Sequence, residues 1–163
     1  MPIRCSVCQI GTFEPARIAR APVSDLVGLA EVFVEDAPVL RCTHCAANTW
    51  EGTTITQIEE ELARQLCTTA VLSGAELRYL RKFLEATPED LAARLGVPVS
   101  TIERWERAEQ SLSFFESLPV RALVALHLAA SKPNEARDLE EHFRAPPPAA
   151  RLPPYVVLGE RFA

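Results

Sequence analysis

The spacing of apolar residues changes along this 163-residue chain. In EVFVED, residues 31–36, Val32 and Val34 fall on one side and Phe33 on the other. A period of two marks a strand. Residues 19–40 (ARAPVSDLVGLAEVFVEDAPVL) therefore predict two or three antiparallel strands. Beyond residue 54 the period lengthens. Ile55, Ile58, Leu62 and Leu66 share one face of a helix predicted over residues 55–72. Glu59, Glu60 and Glu61 lie near its start, where negative charge is favoured.

Punctuation places the next helices. Ser73 and Glu76 (SGAE), and Thr87 and Asp90 (TPED), each set a hydroxyl three residues before a carboxylate, the spacing of a capping box. Pro88 suits the first helical position. One helix is thus predicted in SGAELRYLRKFLEA and the next in PEDLAARL, stopped by Gly96. VSTIERWERA and LPVRALVALHLAA predict a third and a fourth. NEARDLEEHF, opened by Asn134, predicts a fifth. From Ala145 the chain reads APPPAARLPPYVVLGERFA and holds five of its 13 prolines. That is the composition of a disordered tail or an extended arm, not of a helix.

Composition narrows the class. A 48% hydrophobic content is enough for a packed core, and the length suits one or two domains. The start, MPIRCSVC, has no apolar signal region. The most apolar run, residues 118–130, is too short to span a bilayer and carries Arg121 and His127. The expectation is a cytoplasmic chain with no membrane partner. Thiols stay reduced there, and paired cysteines mark metal or redox sites more often than disulfides.

Cysteines occur as matched pairs. CSVCQIGTFE (residues 5–14) and CTHCAANTWE (residues 42–51) share one pattern: Cys, two residues, Cys, two residues, Gly or Asn, Thr, an aromatic, Glu. Two such knuckles supply Cys5, Cys8, Cys42 and Cys45, the four thiolates a tetrahedral Zn²⁺ takes. Gly11 and Asn48 are expected where the chain turns away with positive φ, and Phe13 and Trp50 where the site needs cover. A redox pair, a disulfide and an iron–sulfur site are the competing readings; the doubled knuckle favours zinc. Four thiolates leave no open position, so the metal would be structural and would stabilise a segment with little core. His44 and Cys67 are expected to stand outside the shell. Residues 1–54 then form a small, β-rich, zinc-ribbon-like domain, residues 55–72 a bridging helix and residues 73–145 an all-α domain; residues 146–163 are the Pro-rich tail. The fold class is α+β.

TPEDLAARLGVPVSTIERWERA has helix-turn-helix spacing: Leu91, Leu95, Val97, Ile102 and Trp105 toward the core, small Ala92 at the crossing, Gly96 at the turn. An ordinary helical hairpin shares the apolar spacing. Of the exposed residues predicted on the second helix, Arg104 suits guanine, Ser100 a phosphate or either base, Val99 a thymine methyl, and Thr101 and Arg107 phosphates.

LAARLGVPVSTIERWERA resembles the Xre/Cro-type repressors. That resemblance implies an ion pair between Arg81 on the first helix and a buried Glu106. A four-cysteine domain ahead of such a unit resembles the MqsA family of bacterial antitoxins, with its YgiT-type zinc finger, over residues 1 to about 130. It implies a homodimer that represses its own operon at a palindromic double-stranded DNA operator and neutralises a toxin protein. The family's two base-reading side chains match Ser100 and Arg104. The tail, through Tyr155, Val156, Val157 and Leu158, is expected to suit a groove on such a toxin.

Residues 73–131 carry seven Lys/Arg against eight Asp/Glu, so no overall basic footprint accompanies the motif. A protein-interaction module, with the helical unit serving dimerisation, is the alternative that this charge favours. Paired carboxylates in a pocket context, a Gly-rich phosphate loop and a Ser/His/Asp set are lacking, and His127 and His142 are lone histidines, so no enzyme is expected.

Overall fold

The computed structural model describes residues 3–69, 71–107, 112–131 and 155–158. Strands β1 (Phe13–Pro22) and β2 (Val32–Cys42) run antiparallel, with Phe13 opposite Cys42 and Pro22 opposite Phe33. The short α1 (Ser24–Val27) fills their connection and ends on Gly28 at φ 70. β3 (Asn48–Thr49) pairs antiparallel with Leu40 and Arg41 on the other side of β2. The predicted alternation is present: Val32 and Val34 are fully buried, and half-buried Phe33 carries the Arg20 guanidinium 4.1 Å above its ring. The pattern then slips by one residue, so that Ala37 and Val39 point inward. Asp36, at φ 49, sits at that slip and holds Arg17 at 2.6 Å.

Helix α2 (Gly52–Cys67) follows. It starts three residues before the predicted helix and stops five residues short of its end. Ile58, Leu62 and Leu66 are buried as predicted, while Ile55 is half-exposed. The early stop has local causes: the Thr68 and Thr69 hydroxyls donate to the carbonyls of Gln65 and Leu66 and turn the chain out of the helix. Val71–Leu72 becomes strand β4, paired with β5 (Leu112–Ser113). Between them lie α3 (Gly74–Phe83), α4 (Pro88–Leu95) and α5 (Val99–Glu106). Both capping boxes are formed, on Ser73 with Glu76 and on Thr87 with Asp90. Helix α6 (Phe114–Ser131) begins four residues before the predicted one. Among the described residues there are six helices and an antiparallel sheet, and no helix is long and apolar enough to cross a membrane.

The Pro-rich end departs from expectation. Tyr155–Leu158 is strand β6, paired parallel with Val32–Glu35 of β2, and Val157 is fully buried. A run expected to be a free arm is, over these four residues, part of the chain's own sheet. The fifth predicted helix, with His142, and the rest of the tail lie outside the described residues.

One core runs from sheet to helices. Val32, Val34 and Val39 join Ile58, Leu62 and Leu66 of α2, then Leu77, Leu80, Leu91, Ile102 and Val124. Cys67 belongs to this core, and burial pushes its thiol up to about 12. The Arg121 side chain is also fully buried. Its Nη1 donates to the carbonyls of Leu66 and Cys67 at 2.8 Å each, its Nε to Ser117, and its Nη2 to Thr69. The guanidinium lies 4.9 Å from the centroid of the Phe114 ring. It thus caps the negative end of α2 from α6. Burial lowers its pKa to about 10, so it stays charged at neutral pH.

Candidate functional site

The turn between β2 and β3 and the loop before β1 bring four sulfurs together. The ligand atoms of Cys5, Cys8, Cys42 and Cys45 all lie within 4.8 Å of one another, a cluster able to hold a metal ion. Cys5 and Cys45 Sγ are 3.7 Å apart, and Cys8 and Cys42 Sγ 3.6 Å. Four sulfurs at about 2.3 Å from one ion would stand about 3.8 Å from each other along the edges of a tetrahedron. Disulfide sulfurs would stand at about 2.05 Å. All five cysteines are free thiols, so the donor set fits a tetrahedral ion.

The knuckles are locally alike. Gln9 N–H donates to the Cys5 carbonyl at 2.9 Å, and Ala46 N–H to the Cys42 carbonyl at 3.2 Å. Each tight turn places the residue after its second cysteine at positive φ: Gln9 at 58 and Ala46 at 57. The positive φ expected at Gly11 and Asn48 is therefore displaced by two residues. Gly11 is needed for space instead. A Cβ there would lie 2.6 Å from Cys42 Sγ and 2.8 Å from His44 Cβ. Asn48 opens β3, where its side chain accepts from Arg41. Trp50 packs against the main core, and His44 is exposed.

Burial is unequal: Cys5 and Cys42 are enclosed, Cys8 is intermediate and Cys45 exposed. The N–H groups of Gly11 and then Ile10 lower the Cys8 thiol to about 6. The Cys45 N–H, with that of His44, holds Cys42 below the ordinary thiol range against desolvation. At Cys45 the Ala47 N–H pulls down, yet desolvation and the sulfurs of Cys42, Cys8 and Cys5 push the thiol up to about 12. Neighbouring thiolates repel, so the cluster keeps a proton until a cation opposes their charge.

The second candidate site is built on α3, α4 and α5. Gly96, at φ 67, ends α4, and Pro98 caps α5 with extended backbone. Leu91 and Ile102 are fully buried, and Leu95, Val97 and Trp105 are partly buried against the core. Ala92 is also buried, and α4 packs against α5. The structure brings Arg81 and Glu106 together as a two-point pair, with Nε on Oε1 and Nη2 on Oε2 at 3.0 Å. Arg78 adds contacts to Oε2 at 3.3 Å and to the Glu106 carbonyl at 3.2 Å. Arg78 is a partner that sequence reading missed; only its position one helical turn before Arg81 hinted at it. The pair ties the end of α5 to α3. Four residues apart, Ser100 and Arg104 share an exposed face of α5, with exposed Glu103 beside Arg104. Thr101 is half-buried, Val99 is half-buried against the core, and Arg107 is exposed at the C-cap. No protein-family model and no curated protein matches this chain.

Proposed function

We propose that the chain is a zinc-stabilised, DNA-binding transcriptional regulator, acting as a homodimer and serving as the antitoxin of a toxin–antitoxin pair, in the manner of the MqsA family it resembles. The observation that carries this reading is the α4–Gly96–α5 unit. Its turn is closed by a left-handed glycine, its second helix is fastened to α3 through Arg81 and Glu106, and Ser100 and Arg104 stand exposed on that helix. In this reading the unit is a helix-turn-helix whose second helix enters the major groove. Arg104 reads guanine through its two-pronged guanidinium, Ser100 touches a base or phosphate, and Thr101 and Arg107 approach phosphates. Zinc, held by Cys5, Cys8, Cys42 and Cys45, supplies no reaction chemistry; it neutralises the thiolates and closes the two knuckles.

The test is a mobility-shift titration on the chain's own promoter over a range of salt. A palindromic site with half-sites about one helical turn apart is expected to bind, more weakly as salt rises. Arg104→Ala should weaken specific binding by about 1–3 kcal/mol and leave the fold intact. Unchanged specificity in that variant would remove the reading-helix assignment.

A second reading has one observation in its favour. Residues 73–131 are not basic, and burial of Arg121 withdraws one of their seven cations from the surface. In that reading the helical unit serves dimerisation, and the chain is a protein-interaction module. The absence of any promoter shift at low salt would favour it.

A further inference from the structure

The edge of β2 away from β1 is a short slot, and the chain fills it itself. The slot is four residues long, with Val32–Glu35 paired in parallel register to Tyr155–Leu158. One of its ends is stopped. Past Glu35 come Asp36 at φ 49 and Pro38, which has no N–H to offer. The slot has an apolar floor, where Val32, Val34 and Val157 are all fully buried. Its far wall is α2, from which Gln65 Nε2 donates to the Val156 carbonyl at 2.9 Å.

Two features separate β6 from the rest of the sheet. Its pairing is parallel, the weaker arrangement per residue, whereas β1, β2 and β3 are antiparallel. Residues 132–154, a 23-residue stretch holding the chain's Pro146, Pro147 and Pro148, separate it from α6. Covalent attachment raises the local concentration of the strand at its slot, and the gain shrinks as the connecting stretch lengthens. Recognition is through main-chain ladder bonds, through a glutamine that holds a backbone carbonyl, and through one deep apolar position at Val157. Nothing in it requires the sequence YVVL beyond an extended, β-branched apolar segment.

We propose that Tyr155–Leu158 is a detachable strap over a strand-accepting slot, and that the slot takes an extended, β-branched apolar segment of another polypeptide, running parallel to β2, when the strap leaves. The strap sets the threshold: an incoming segment must outcompete a tethered strand of its own chemistry.

The experiment places a protease site in the full-length chain between residues 146 and 152. The probe is a fluorescent synthetic peptide of residues 152–163, added before and after cleavage. Cleaved protein is expected to take up the peptide with an apparent affinity at least about tenfold higher than uncut protein, since the tethered competitor is lost. The same peptide carrying Val157→Asp should not bind, and Gln65→Ala should weaken uptake several-fold. Hydrogen exchange on the unmodified chain provides a second readout that needs no cleavage: Val156 and Val157 amides should exchange faster than those of Ala21 and Val34. Equal exchange in both sets, equal uptake by cut and uncut protein, or no uptake by cut protein would overturn the proposal. So would dissociation of a dimer by the peptide, which would make a second copy the occupant.

Discussion

Replacing Gly11 by alanine tests the packing of the sulfur cluster directly. The added Cβ would meet Cys42 Sγ at 2.6 Å, His44 Cβ at 2.8 Å and the His44 nitrogen at 2.9 Å. Non-bonded heavy atoms rest at about 3.5–4.0 Å, so each contact is short by roughly 1 Å. Neither neighbour can swing aside cheaply. Cys42 Sγ is one of the four clustered sulfurs and accepts the His44 N–H at 3.4 Å, while the adjoining Thr43 N–H donates to the Thr12 carbonyl at 3.0 Å. Overpacking of this kind costs about 1–3 kcal/mol. Because the strain falls on a ligand, it should appear as metal affinity lowered about 5- to 150-fold. Competition between the protein and a chelator of known zinc affinity reads that change. Gly52→Ala is the matched control, since a Cβ there meets nothing within 4 Å and the residue opens α2. It should leave metal affinity unchanged and raise stability by no more than about 1 kcal/mol. If Gly11→Ala takes up metal as tightly as the unaltered chain, the two knuckles do not close on each other at this distance.

Glu106→Ala should destabilise the helical unit by about 3–5 kcal/mol, because it leaves Arg81, only 12% exposed, without its carboxylate. Urea unfolding measures the loss, and a change under about 1 kcal/mol would place the pair among weak surface bridges. The Thr87 N–H, then its hydroxyl, holds the Asp90 carboxyl below the ordinary carboxylate range. A depressed folded-state pKa contributes stability above the unfolded value, near pH 4, and loses it as pH falls through the folded value. Asp90→Asn should therefore flatten the acid limb of the stability curve below about pH 4, and an unchanged limb would remove Asp90 from it. Chelation of metal should be felt locally: hydrogen exchange should rise at residues 3–12 and 43–49 and change little at Val32, Val34 and α2. Equal loss of protection in both regions would show that the metal supports the whole core.

How much of this was legible in sequence depended on how far apart the interacting residues lie. The capping boxes at Ser73 and Thr87 were read correctly because each is complete within four residues, and the chemistry that makes it is local. The four cysteines were legible for a different reason. Their partners are up to 40 residues apart, but each knuckle is short and occurs twice, so repetition stood in for proximity. Gly11 was singled out for the wrong cause. Sequence offered positive φ, the usual reason for glycine in a turn, whereas its neighbour across the cluster is a sulfur 31 positions on, which no local pattern announces.

The partners of Arg121 and of β6 are hidden from the sequence for one shared reason. Arg121 stood in an apolar run as a charge that argued against a membrane span, and nothing near it in sequence says that the last carbonyls of α2, more than 50 residues earlier, await a donor. The helix has no C-terminal glycine, and Arg64 near its end pairs with Glu61 instead, so the want of a cap was visible while its source was not. Tyr155–Leu158 likewise shows extended, β-branched chemistry, but four residues after a Pro-rich stretch carry no information that Val32–Glu35 of the same chain is the edge it pairs with. On that edge β3 takes Leu40 and Arg41, and Val32–Glu35, on the far side of the slip at Asp36, pairs with β6. Short-range patterns thus specify which groups require a partner, and long-range packing decides which partner is within reach. The same division explains why the strap is exchangeable: β2 asks only for ladder bonds and an apolar side chain, and any extended chain that brings both meets the requirement.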